Sequence, residues 1–115
     1  DGTRLLAKAV GYIRAHCDAP LSMKEVARQT GIGDRHLRGL FAEHLGMSPL
    51  AFLNRTRIGK AAEMLEHTDL SIKEISFSCG FRSPQYFSRL FRQHTGKSPY
   101  EATPLGQARN VRKKH

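Results

Sequence analysis

The stretch LSIKEISFSCGFRSPQYFSRLF (Leu70–Phe91) decides the fold, because a near copy, LSMKEVARQTGIGDRHLRGLF (Leu21–Phe41), stands 49 residues earlier. In both, a serine is followed three residues later by a glutamate: Ser22-x-x-Glu25 and Ser71-x-x-Glu74. This is capping-box spacing. The hydroxyl takes an orphan amide of the first helical turn, and the carboxylate reaches back to the amide of the cap residue. Each copy therefore predicts a helix start. Met23, Val26 and Ala27 of the first copy match Ile72, Ile75 and Ser76 of the second. "TGI" breaks one helix at Gly31 and "CGF" the other at Gly80, since glycine can take the left-handed conformation that ends a helix. A second helix follows each break. Gly33 or Asp34 can cap the first of these, and Ser83-Pro84 gives the other a cap and a first-turn proline. Leu37, Leu40, Phe41 and Leu45 form one apolar stripe; Phe87, Leu90 and Phe91 form its counterpart. Both copies close on one phrase, GMSPLAF and GKSPYEA, with Gly46, Ser48 and Pro49 matching Gly96, Ser98 and Pro99. The second copy is one residue longer between its break and its Leu-Phe pair, an ordinary turn difference.

A short helix, a tight turn and a second helix make a helix-turn-helix unit. The sequence contains it twice. Upstream, Leu5, Leu6, Ala9, Val10 and Ile13 share one face of a further helix. Between the copies, Ser48-Pro49 opens a long helix that runs to about Glu66, with Leu50, Leu53, Ile58, Ala61, Ala62 and Leu65 as its apolar residues. Its length is about 27 Å at 1.5 Å per residue. Successive major-groove faces on one side of B-DNA are about 34 Å apart, so such a linker suits two reading helices in adjacent turns. No strand is expected. The expectation is an all-α chain: a first helix-turn-helix subdomain over residues 1–48, a linker helix over 49–66, a second subdomain over 67–104 and a flexible basic tail over 105–115. Phe77, Phe81, Phe87 and Phe91 are expected in the core.

The chain of 115 residues carries 19 basic and 10 acidic side chains, a formal charge of +9. Four of the basic residues lie in Arg109–His115, leaving +5 for the rest. Such a balance favours polyanions, nucleic acid first and an acidic membrane surface second. No apolar run approaches the roughly 20 residues that span a bilayer, and no secretory signal is visible. Cys17 and Cys79 have no metal-type spacing and fit a reducing, cytoplasmic setting. The chain lacks an initiator Met, so a piece of a longer protein with a partner domain upstream is expected.

Chemistry is to be sought on the side of each second helix that faces away from its apolar stripe. At about 100° per residue, that side carries Arg35, Arg38, Gly39 and Ala42 in the first unit. In the second it carries Gln85, Ser88, Arg89 and Arg92. None of the eight is acidic. Arginine can donate two hydrogen bonds to the edge of guanine, glutamine can pair bidentately with adenine, and serine adapts to either. Amides at the helix starts near Ser22, Ser71 and Ser83 can meet phosphate oxygens. Arg55 of the long helix can reach phosphate, while Arg57 can equally pack within the domain. Tyr86 can touch DNA or cover the core rim, with the rim reading favoured.

The pattern IKEISFSCGFRSPQYFSRLFRQHTGKSP (Ile72–Pro99) resembles the signature of the AraC/XylS family of bacterial transcription regulators. The stretch from Val26 to Ser71 is similar to that family's first motif and linker helix. The resemblance covers roughly residues 5–100. It implies seven helices in two homeodomain-like helix-turn-helix units joined by a rigid linker. It implies sequence-specific binding of double-stranded DNA, with helices at about 34–45 and 83–95 entering successive major grooves. The base-reading positions fall on Arg35, Arg38, Gln85, Ser88 and Arg89, the five that the helical face had selected. Phosphate or flanking contacts fall on Ser22, His36, Arg55, Ser71, Arg82, Ser83, Tyr86 and Arg92. The implied partners are RNA polymerase and an N-terminal effector-sensing domain, with no cofactor. Gly39 stands where relatives often carry an arginine-sized reader. Ala102 and Thr103 stand where relatives usually carry a Tyr-Arg pair.

Other readings have less to stand on. His36 and His44 lie two turns apart with no carboxylate or cysteine on that face, which is not metal-ligand spacing. No paired carboxylates or activated serine point to catalysis. The rival from another class is a helical protein-interaction module whose basic faces meet an acidic partner.

Overall fold

The computed structural model describes residues 2–113, and these are helical throughout with no strand. The order is α1 Gly2–His16, α2 Met23–Thr30, α3 Asp34–Leu45, α4 Pro49–His67, α5 Ile72–Ser78, α6 Pro84–Thr95, a 3-10 turn at Tyr100–Ala102, and α7 Pro104–Lys113. The all-α, double helix-turn-helix expectation holds. The chain divides into two compact units, Asp1–Thr56 and Arg57–His115, so the boundary falls inside α4.

Local chemistry explains the helix ends. Ser22, Ser71 and Ser83 are N-caps, each hydroxyl accepting the amide three residues on at 3.0–3.1 Å. Ser48 does the same for Ala51 at the start of α4. Gly31, Gly46 and Gly96 close α2, α3 and α6 at φ of 73°, 65° and 78°, a region that side-chain-bearing residues rarely adopt. At the start of α3 the cap is Gly33, which has no side chain to offer, and Asp34 is the first helical residue.

One expectation about the caps is corrected. The box at Ser71 is complete: Glu74 accepts the Ser71 amide at 3.0 Å. At Ser22 only the serine half forms. Glu25 turns instead toward Arg28, at 2.8 Å, and Gln29, at 3.0 Å. The equivalent places one turn beyond Glu74 hold Phe77 and Ser78, neither a cation nor a long-armed donor like Arg28 and Gln29, so the carboxylate stays on its cap.

In the first unit Leu6, Ala9 and Ile13 of α1 bury against Val26, Ile32, Leu37, Leu40 and Phe41, with Phe52 and Leu53 from α4 closing the core. Phe41 and Phe52 meet edge-on, centroids 5.6 Å apart. In the second, Ile58, Ala61 and Leu65 of α4 pack with Ile75, Cys79, Phe81, Phe87 and Phe91. Both cores place the stripe of the second helix inward and leave its other side outward.

Three apolar assignments change. Phe77 is 48% exposed. Ile75, Ser76 and Cys79 set the buried side of α5, and at about 100° per residue Phe77 points nearly opposite. Its counterpart in the first copy is the exposed Arg28. Leu45 is also exposed, because the stripe of α3 drifts off the core by its last turn. Leu50, at the start of α4, is exposed as well.

The flexible tail expected over 105–115 is a helix as far as Lys113; residues 114 and 115 lie outside the described residues. Pro104 explains why this helix is separate from the 3-10 turn before it. It has no N–H for the Tyr100 carbonyl, so the helix begun at Pro99 stops after one 3-10 turn. Thr103 then starts α7: its backbone N–H takes the Tyr100 carbonyl at 3.0 Å, and its hydroxyl accepts the Gly106 amide at 3.0 Å. Thr103-Pro104 is the same cap-and-proline signal as Ser48-Pro49 and Ser83-Pro84, and it was legible in the sequence. Gly106 is buried, and a Cβ there would lie 2.0 Å from the Tyr100 carbonyl oxygen. Only glycine permits that approach.

Candidate nucleic-acid interface

Each unit presents its second helix with the core stripe hidden and a polar side exposed. On α3, Arg35, His36, Arg38 and Gly39 are all exposed. Arg35 makes no ion pair among the described residues. Arg38 does: its Nη2 lies 3.1 Å from Asp34 Oδ2, one turn back. A Cβ on Gly39 would meet nothing within 4 Å, so the space an arginine-sized reader would need is open there.

On α6, Gln85 and Arg89 are exposed and Ser88 is half-buried. The Arg89 guanidinium sits 5.7 Å from the Tyr86 ring centroid, a cation–π geometry. Tyr86 is 40% exposed, with its inner edge against Phe81 at 6.1 Å. It belongs to the rim and to the exposed face at once. Arg92 leans on Glu101 of the 3-10 turn at 3.6 Å. A shallow groove of about 410 Å³ runs beside α6, lined by Ile72, Ser88, Arg89, Arg92, Ser98, Pro99 and Tyr100.

The flanking candidates sort by what their groups already do. The hydroxyls of Ser22, Ser71 and Ser83 are engaged as cap acceptors, yet each keeps an O–H to donate to an anionic oxygen. Arg55 and Arg82 are exposed. Arg57 instead covers the Phe81 ring at 5.9 Å, an intradomain packing role.

Of two acids beside these faces, the sequence reading took Asp34 only as a possible cap and did not single out Glu101. Asp34 lies at the edge of the α3 face, and its i,i+4 spacing to Arg38 was the available signal. Glu101 repeats the capping-box spacing after Ser98: the Ser98 amide reaches Glu101 Oε1 at 2.9 Å, and the Ser98 hydroxyl accepts the Glu101 amide at 3.3 Å. The supporting helices carry acids too. Arg28, and then Gln29, hold Glu25 below the usual carboxylate range, and Glu25 in turn raises Arg28. Thus the bases on the outward faces meet carboxylates mainly at their borders. No helix among the described residues is long and apolar enough to cross a membrane.

A family model described as a helix-turn-helix domain matches residues 26–103. The chain is 38% identical over 96 residues to the HTH-type transcriptional regulator CdhR of Pseudomonas aeruginosa, covering 84% of this chain and 29% of that protein. It is 36% identical over 92 residues to the HTH-type transcriptional activator RhaS of Escherichia fergusonii, covering 80% and 33%. The chain therefore spans about a third of the length of the curated relatives it matches. Among solved structures, a transcriptional regulator from Chromobacterium violaceum described as containing an AraC-type DNA-binding domain aligns with TM-score 0.83 and 33% identity, over 87% of this chain and 89% of that one. The DNA-binding domain of AdpA, solved in complex with a target DNA, aligns with TM-score 0.83 and 30% identity, over 90% and 94%.

Proposed function

The chain belongs to the AraC-type family of helix-turn-helix DNA-binding domains, and from that premise we propose that it binds double-stranded DNA sequence-specifically within a bacterial transcription regulator. The observation that carries this reading is the recurrence, in both units, of a capped supporting helix followed by a helix with a basic outward face. We assign base reading to Arg35 and Arg38 on α3 and to Gln85, Ser88 and Arg89 on α6, in two successive major grooves. Arginine and glutamine supply the bidentate donors and acceptors that distinguish base pairs there. Ser22, His36, Arg55, Ser71, Arg82, Ser83, Tyr86 and Arg92 are assigned to phosphate or flanking contacts, which position the protein without reading sequence. The ion pairs of Arg38 and Arg92 do not oppose these roles, because exposed pairs are worth only about 0–1 kcal/mol.

The whole regulator, on this reading, works in the cytoplasm without catalysis of its own. It carries a separate effector-sensing domain and acts on RNA polymerase, as an activator. Selection of bound duplexes from a random pool tests the core of the proposal. The expected outcome is a motif with two elements about one helical turn apart, contacted on one face. Equal binding to every duplex would sink specific reading. Negligible duplex binding even at low salt would favour the protein-interaction module.

A further inference from the structure

The Asp34–Arg38 pair has little value for folding. Its side chains are 56% and 65% exposed, and an i,i+4 pair of this kind contributes only a few tenths of a kcal/mol. Its position is more informative. The two residues lie about 40° apart around α3, so the carboxylate stands beside the outward face. Pro84 fills the equivalent place on α6, so the second unit has no counterpart.

From this juxtaposition we infer that Asp34 is a specificity-determining positioning residue: it holds the Arg38 guanidinium for a base edge and keeps it from a phosphate. This rests on the DNA-reading proposal above. The physical case has three parts. A guanidinium has five N–H donors in a fixed fork, and Asp34 engages one nitrogen, leaving enough donors for the two acceptors of guanine. A four-bond side chain left untethered can instead swing to the DNA backbone, where it binds any sequence alike. A carboxylate at that point also repels phosphate, which makes the non-specific arrangement less favourable.

The test compares the wild-type chain with Asp34→Ala, Asp34→Glu, Arg38→Ala and the double alanine variant, after thermal melts establish that each is folded. Duplex selection and the salt dependence of binding are then measured for each. The expected result has four features. Arg38→Ala relaxes preference at one base pair by about fivefold to a hundredfold, and Asp34→Ala relaxes it at that same base pair by a smaller factor. The double variant relaxes it no further than Arg38→Ala. Asp34→Glu, which still reaches Arg38, retains most of the preference. Asp34→Ala binds non-specific duplex more tightly, with a log–log salt slope steeper by about 0.9, the mark of one added phosphate contact. The inference is overturned if Asp34→Ala keeps the preference that Arg38→Ala loses, or lowers only the melting temperature. It is overturned equally if Arg38→Ala changes no preference. A wild-type chain that selects no sequence at all would bring down the DNA-reading proposal itself, a result distinct from the failure of Asp34 alone.

Discussion

The Glu74 carboxylate accepts the backbone amide of Ser71 at 3.0 Å, while the Ser71 hydroxyl accepts the amide of Glu74 at the same distance. The Glu74 pKa is lowered from its ordinary 4.5, first because the Ser71 amide donates to the carboxylate and then because the Ser71 O–H can also donate to it. A carboxylate lowered on folding adds stability above its unfolded pKa and loses it as pH falls through the folded value. Glu74→Gln should therefore destabilise the chain near neutrality, with the gap to wild type closing in acid below 4.5. Urea midpoints measured across that range check it; a gap independent of pH would contradict the pairing. Ser71→Ala, which removes the other half of the box, should cost about 1 kcal/mol at neutral pH.

Burial separates two phenylalanines of the same repeat. Phe87 is fully buried between Phe81 and Phe91, with ring centroids at 5.1 Å and 5.6 Å, whereas Phe77 is 48% exposed. Phe87→Ala should cost about 3–5 kcal/mol through lost transfer and a residual cavity. Phe77→Ala should cost less than about 1 kcal/mol. Denaturant melts of the two variants decide it, and similar costs would place Phe77 in the core after all.

Two glycines should respond oppositely to one methyl group. Gly106→Ala drives a Cβ to 2.0 Å from the Tyr100 carbonyl oxygen and 2.9 Å from Glu101 Cα, backbone atoms that cannot rotate aside. The expected cost is about 1–3 kcal/mol, with faster amide exchange along α7. Gly39→Ala meets nothing within 4 Å in the interior of α3, so it should stabilise by about 0.5–1 kcal/mol. Melting curves and amide exchange measure both.

Arg89 rests over Tyr86 at 5.7 Å. Arg89→Ala should weaken binding to the selected duplex by about 1–3 kcal/mol and relax preference at one base pair. Tyr86→Leu keeps the charge and removes the ring that holds it. It should blunt preference at that same pair while leaving the salt slope unchanged, because the neutral Tyr86 side chain neutralises no phosphate whatever flanking contact it makes. Competition binding against single-base variants of the duplex reads both effects.

Much of this was legible in residue order. Four serine caps, four positive-φ glycines at or just past helix ends (Gly31, Gly46, Gly80 and Gly96) and the apolar period placed α2 to α6 correctly, since each depends on bonds and contacts within a few residues. Two misses were local as well and could have been read: Thr103-Pro104 as a helix start, and Ser98-x-x-Glu101 as a capping box. The core place given to Phe77 came from its residue type, although its spacing already pointed outward.

The sequence by itself determined the duplicated helix-turn-helix plan and the outward placement of Arg35, Arg38, Gln85, Ser88 and Arg89, because caps, breaks and periodicity act along the chain. Only the folded structure decided that Arg92 meets Glu101 and that Gly106 lies against Tyr100, and, between two partners that spacing alone allowed, that Glu25 leaves its cap for Arg28. These outcomes are competitions among partners of similar strength within reach of one another. They turn on where the folded backbone puts each group, to within an ångström, which residue order does not specify.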